Sequence, residues 1–238
     1  MRSIVARAPA SRPTETAFFP VWHPDGERVT FATTDGTIVV TAADASGGLE
    51  RVDYDGLAFG PHWSPDGQTL VFFVFDRTIG NWDIKAWRDG VVTPVVAGPF
   101  NEYPPRFSPD GRWLAYMSDE SGRIEIYAQA FPGPGEKYTL STQGGKEPVW
   151  SRDGREIFYR DGDRMMVVPL QIEPAFRPGT PRMLFEAPFA SNPGGYPNYD
   201  VSLDGTRFIM VETDATELHE IHVVLNWSEE LKRLAPPD

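Results

Sequence analysis

A chain of 238 residues, 40% hydrophobic and 13% aromatic, is long enough to bury a sizeable core and reads as globular. Its 22 basic and 34 acidic residues leave a formal charge of −12, which argues against nucleic-acid backbones and anionic membrane surfaces as general partners. No cysteine is present, so disulfides, thiolate metal sites and a cysteine nucleophile are excluded, while the redox compartment stays open.

The amino terminus, MRSIVARAPASRP, has too short an apolar run for a secretory signal. No later segment approaches the roughly 18 apolar residues that span a bilayer. The chain therefore reads as soluble, with no direct membrane insertion and no visible export signal. Within that terminus, SIVARA (3–8) is a candidate strand. Beyond it one pattern recurs, as VWHPDGERVTF, HWSPDGQTLVF, RFSPDGRWLAYMS, VWSRDGREIFY and DVSLDGTRFIM. The aspartates are Asp25, Asp66, Asp110, Asp153 and Asp204, at spacings of 41, 44, 43 and 51. A period of about 40 to 45 residues in an all-β pattern points to propeller blades of four antiparallel strands.

The third unit displays the strands best: YPPRFS, RWLAYMS, RIEIYAQAF after the DESG turn, and KYTLST before QGG. The other second strands are RVTFAT, TLVFFVF, REIFYR and RFIMVE, and the other third strands TIVVTA, DIKAWR, RMMVVPL and EIHVVLN. Fourth strands read as LERVDY, VVTPVVA and RMLFEA. The fifth unit has only three, so strand 3–8 is expected to complete it, closing a five-bladed ring and removing an exposed edge. The alternative, an arc cut from a larger ring, stays open at this point. The expected organisation is a single β-propeller domain over 1–238, with blades at about 17–56, 57–99, 100–143, 144–188 and 196–227 plus strand 3–8. FPGPGEK and SNPGGYPN read as loops between strands. Ser228 can cap a short helix over 229–234, with Leu231 and Leu234 on one side.

In SPDG the proline presets φ, the aspartate can accept backbone amides, and the glycine takes a positive φ. A turn is needed in every blade and a catalytic residue only once. Asp25, Gly26, Asp66, Gly67, Asp110, Gly111, Asp153, Gly154, Asp204 and Gly205 are therefore assigned to turns. The aromatics Trp22, Trp63, Phe107 and Trp150, with Val201 in the fifth unit, are expected to wedge between blades.

Few residues could carry chemistry. His219 and His222 are three apart on an expected strand and face opposite ways, a poor metal pair. His23 stands where other turns have serine. GxSxG and HExxH are absent, no metal site or cofactor is expected, and no catalytic residue is assigned. One position is informative. The residue before the aromatic on the innermost strand is Val21, His62, Arg106, Val149 and Asp200 in successive units. The polar members His62, Arg106 and Asp200 are candidates for binding a ligand or peptide at the channel mouth. The plainer reading, that they only hydrate the mouth, stands beside it.

The repeats, carried by WSPDG, FSPDG and their variants, resemble the WD40-like PD40 repeats of TolB-type β-propellers. The stretches SDESGRIEIYAQAFPGPGEKYTLSTQGGKEPVWSRDGREIFYRDGDRMMVVPL, GTPRMLFEAPF and HVVLNWSEELKRL are similar to the carboxyl-terminal propeller region of a family of bacterial serine/threonine protein kinases. That resemblance implies a sensing or protein-binding module outside the cytoplasm. The HRD and DFG motifs and the glycine-rich loop are absent, so it implies binding without phosphoryl transfer. The expectation is a non-enzymatic scaffold for protein–protein interaction or ligand sensing, with a protein or peptide partner and no nucleic acid. The alternative is a hydrolase or lyase with a small-molecule site at the channel.

Overall fold

A computed structural model describes residues 17–44, 46–190, 192, 194–211 and, as backbone alone, 221–224. Strand 3–8, helix 229–234 and His219 lie outside the described residues. The described chain is all β and forms five antiparallel sheets in chain order. Sheet 1 holds β1 (Ala17–Trp22), β2 (Arg28–Thr33), β3 (Ile38–Ala42) and β4 (Glu50–Arg51). Sheet 2 holds β5 (Ala58–Trp63), β6 (Leu70–Asp76), β7 (Asn81–Arg88) and β8 (Val91–Val96). Sheet 3 holds β9 (Glu102–Phe107), β10 (Trp113–Ser118), β11 (Glu125–Ala130) and β12 (Lys137–Thr139). Sheet 4 adds to β13 (Lys146–Trp150), β14 (Glu156–Asp161) and β15 (Arg164–Gln171) two short partners of β15: β16 (Arg177–Pro178) and β17 (Arg182–Glu186). β16 is absent from the sequence-based expectation. Sheet 5 holds β18 (Tyr199–Val201), β19 (Phe208–Val211) and β20 (Ile221–Val224).

The second strand of a middle sheet is apolar at nearly every residue because both of its faces are buried. Leu70, Phe72 and Val74 of β6 pack toward sheet 1, while Val71 and Phe73 pack toward sheet 3. On β10, Leu114 and Tyr116 face sheet 2, and Ala115 and Met117 face sheet 4. On β14, Ile157 and Tyr159 face sheet 3, and Phe158 faces Phe208 and Met210 of sheet 5. Each sheet therefore shares a core with its chain neighbours, and the cores are interfaces between sheets. Trp63 and Phe107 are buried at 6% and 4% exposure as wedges should be, but Trp22 is 51% exposed. It belongs to the first described sheet, where no described neighbour covers that side.

The first strands carry a feature that aims their side chains. Pairing slips between Phe18 and Val21, Phe59 and His62, Tyr103 and Arg106, and Lys146 and Val149. Phe19, Gly60 and Glu147, each three residues before the aromatic, take φ of 56°, 65° and 61°. Such a bulge bends the strand and redirects the residues after it. The next residue is proline in four sheets (Pro20, Pro61, Pro105 and Pro148), consistent with a place where ladder pairing is interrupted.

Candidate functional site

The turns after the first strands share one construction. Asp66, Asp110, Asp153 and Asp204 each accept a hydrogen bond on Oδ1 from the hydroxyl of the serine two residues earlier, at 2.5–2.7 Å. Each also accepts the amide two residues later, at 3.0–3.1 Å. The same serine hydroxyls accept the amide five residues on, at 2.9–3.0 Å. In the first turn His23 replaces serine, and its Nδ1 lies 2.8 Å from Asp25 Oδ2. The serine hydroxyl is the largest influence at Asp66, Asp153 and Asp204 and holds those carboxyls below the usual range. At Asp110 desolvation opposes the hydrogen bonds but is outweighed. The turn glycines Gly26, Gly67, Gly111, Gly154 and Gly205 sit at φ of 69–72°. Turns also tile against one another. His23 Nε2 lies 3.0 Å from Gly67 O, and a Cβ on Gly111 would stand 3.3 Å from Pro65.

Between these turns and the inner ends of the first strands lies a cavity of about 910 Å³. Its walls include Pro24, Pro65 and Pro109 from the turns and Trp63, Phe107 and Trp150 from the strands. His62, Arg106 and Asp200 all line it, so one register position delivers three polar groups from three sheets to one space.

The three are held differently. His62 Nδ1 accepts the Phe107 amide at 3.3 Å, which leaves Nε2 as the protonated nitrogen of a neutral ring. Desolvation, with the Arg106 charge adding to it, pulls the His62 pKa down to about 3. Asp200 is exposed and accepts the Val201 amide at 2.8 Å. The Arg106 guanidinium lies over the Tyr196 ring at 5.4 Å. Among the described residues it has no carboxylate within 4.0 Å and no hydrogen-bond acceptor. Desolvation lowers its pKa, with Tyr196, Tyr199 and Asp200 opposing, yet guanidinium remains a cation.

The cavity is bordered, at Pro197 and Tyr199, by the loop that the sequence presented as an ordinary connection. Tyr196 stacks on Phe19 of β1 with centroids 3.7 Å apart, packs with Phe73 of β6, and supports Arg106 of β9. Its loop is bonded to sheet 4. Buried Glu147 accepts the Asn192 amide at 2.9 Å and the Asn198 amide at 3.3 Å, and its carbonyl accepts the Tyr199 hydroxyl at 2.8 Å. One side chain thus meets three sheets from a loop tied to a fourth. Gly60 makes room, since a Cβ there would lie 1.4 Å from the Tyr196 hydroxyl. Neither Tyr196 nor Glu147 was singled out by sequence reasoning. The available signals were the non-repeating loop SNPGGYPN and the glutamate in KEPVW where its neighbours have Gly60 and Pro104.

Comparison with known proteins places this geometry. The family described as TolB beta propeller domain (PD40) matches residues 7–174. The chain is 36% identical over 72 residues to the uncharacterized peptidase YuxL of Bacillus subtilis (strain 168), a match that takes in 29% of this chain and 11% of the relative. Among solved structures, TolB from Acinetobacter baumannii superposes with a TM-score of 0.67 at 19% identity, over 89% of this chain and 52% of that one. An oligogalacturonate lyase in complex with manganese gives 0.69 at 14% identity, over 90% and 63%. The chain thus spans about half the length of that TolB and a small part of the peptidase. The two structural likenesses concern fold alone.

Proposed function

We propose that this chain, which belongs to the TolB beta propeller (PD40) family, works by binding. Its five sheets stand as blades of one ring, and the cavity at the turn end receives a protein segment or small ligand without chemistry on it. The stacking of Phe19 on Tyr196, which joins the first sheet to the approach of the last, supports ring closure. One observation carries the binding reading. The cavity is walled largely by prolines and aromatics and contains in Arg106 a cation unpaired among the described residues, while its serine hydroxyls are each held between a turn carboxylate and a backbone amide. That arrangement recurs in four turns and its carboxylates have lowered pKa values, so none of these turn serines has an activating base of its own. The resemblance of the third to fifth units to kinase-associated propellers supports a sensing role for the bound state, with no phosphoryl transfer on this chain.

Selection of a random peptide library on the protein tests the proposal. Leu203 is 74% exposed on the cavity lining, and Ile79 is 59% exposed in the β6–β7 turn at the opposite end of the sheets. Enriched peptides should lose binding to Leu203→Glu and keep binding to Ile79→Glu. Failure to enrich, or the reverse sensitivity, would refute a site in this cavity.

A second reading has one observation in its favour. The His62 Nε2–H and the Arg106 guanidinium could together stabilise a developing negative charge, and an oligogalacturonate lyase has a similar fold. Incubation with oligogalacturonate and manganese, followed by absorbance of unsaturated uronide, separates the two. Product that vanishes in His62→Gln would replace the binding reading.

A further inference from the structure

Arg106 is charged, half-buried and unpartnered among the described residues, in a chain whose net charge is −12. Acidic side chains are abundant, yet among the described residues none lies within 4.0 Å of this guanidinium, and Asp200, whose charge acts on it, is spent partly on its own backbone. A desolvated cation held on an aromatic ring with open donors is an anion receptor in waiting. His62 adds a second donor, because its Nδ1 is committed and its Nε2–H is free among the described residues.

The walls narrow the class of anion. A sugar acid presents many hydroxyls and requires many polar partners. Here the hydroxyls of Ser108, Ser151 and Ser202 are committed to Asp110, Asp153 and Asp204. What remains is mostly proline, aromatic and aliphatic surface, suited to an apolar body, with Arg152 as a further cation and Asp200 as a carboxylate on the same lining. The depth narrows it again. β9 contributes only Arg106 and Phe107 to the lining, and the Tyr196 ring stands behind the guanidinium, so a chain that enters from the turns with its terminus leading meets Arg106 before that ring.

We propose that Arg106, assisted by His62, seats the carboxyl-terminal carboxylate of a peptide whose last residues are apolar. This inference rests on the binding reading above and specifies its ligand. The bond is charge-assisted and made in a partly dry site, where loss of charge on either partner should cost at least about tenfold in affinity.

The test uses the whole protein and defined probes: N-acetyl-leucyl-phenylalanine as free acid, the same dipeptide as its carboxamide, N-acetyl-glutamyl-phenylalaninamide, and galacturonic acid. Binding is measured by calorimetric titration. The free acid should bind at least about tenfold more tightly than the other three. Arg106→Lys should keep that preference and Arg106→Gln should remove it. Arg106 has no ion-pair partner among the described residues, so both variants should fold, which a thermal melt checks. Equal binding of acid and carboxamide would overturn the carboxylate claim and leave the cavity as a binding site. Preference for the glutamyl amide would overturn the terminal position, and preference for galacturonic acid would overturn the peptide. Absence of all binding would remove both this inference and the reading it rests on.

Discussion

Replacing Gly60 with alanine is the sharpest way to ask whether Tyr196 packs between Phe19 and Phe73. Two effects act at once. Gly60 has φ of 65°, and an L-residue held in that region costs about 1–2 kcal/mol. The added Cβ would also lie 1.4 Å from the Tyr196 hydroxyl and 2.5 Å from the Phe73 ring, so Tyr196 must move. Its displacement forfeits the stacking on Phe19, worth about 0.5–1.5 kcal/mol, and part of the roughly 1.5–3 kcal/mol from burying an aromatic side chain. The sum is about 3–5 kcal/mol. Gly26→Ala is the control, because its φ is 72° but a Cβ there meets nothing within 4 Å, so only the backbone cost of about 1–2 kcal/mol applies. Urea denaturation of the two variants should therefore differ by about 2–3 kcal/mol. In a Tyr196→Ala background the cost of Gly60→Ala should fall by at least about 1 kcal/mol, as contacting residues do not add independently. Equal costs for Gly60→Ala and Gly26→Ala would refute the placement of Tyr196.

Glu102 offers a test by pH. It is 3% exposed, and desolvation first, then the Asp83 charge, raises its pKa from 4.5 to about 7. Because the folded value is raised, its stabilisation is full below about pH 4.5 and is lost as pH rises through about 7. Glu102→Gln should be near neutral at pH 4 and stabilising at pH 8 by up to about 3 kcal/mol in denaturation experiments, and a pH-independent difference would refute the assignment. Gly111→Val forces a β-branched residue into φ of 71° and should cost about 2 kcal/mol or more in a thermal melt, with an unchanged melting temperature contradicting the turn. Glu147→Gln replaces one acceptor oxygen facing the Asn192 and Asn198 amides by a donor. Faster hydrogen exchange at those two amides is expected, with a stability loss of about 1–3 kcal/mol, and unchanged exchange would contradict the tie between loop and sheet 4.

What could be read from sequence was local or repeated. The aspartates and glycines of the turns announce themselves because Asx-type hydrogen bonding and positive φ depend on residues only a few apart. The second strands are readable because burial on both faces makes them continuously apolar, as in LVFFV of β6. His62, Arg106 and Asp200 emerged as a set because a repeat converts equal register into spatial proximity, and the cavity contains all three. The loop carrying Tyr196 breaks the repeat, and its partners are Phe19, Phe73 and Arg106, which are up to 177 residues away. No local pattern encodes that contact. The bulges were marked by prolines before each polar or apolar inner position, a signal visible only once the strand pairing is known. Trp22 shows the converse limit: a repeated residue type does not bury itself when its repeat stands at an end of the described array.

Entry of ligand into the cavity between the turns is reported directly by the indole resonances of the protein. Trp63 and Trp150 line that cavity, and the Trp150 indole donates to the Arg106 carbonyl at 3.1 Å. Trp82 begins β7 at the other end of its sheet, packed on Phe73 and Phe75. A ¹H–¹⁵N titration with a selected peptide should shift the Trp63 and Trp150 indole signals and leave Trp82 in place. Saturable binding that shifts Trp82 and spares Trp63 and Trp150 would contradict the account.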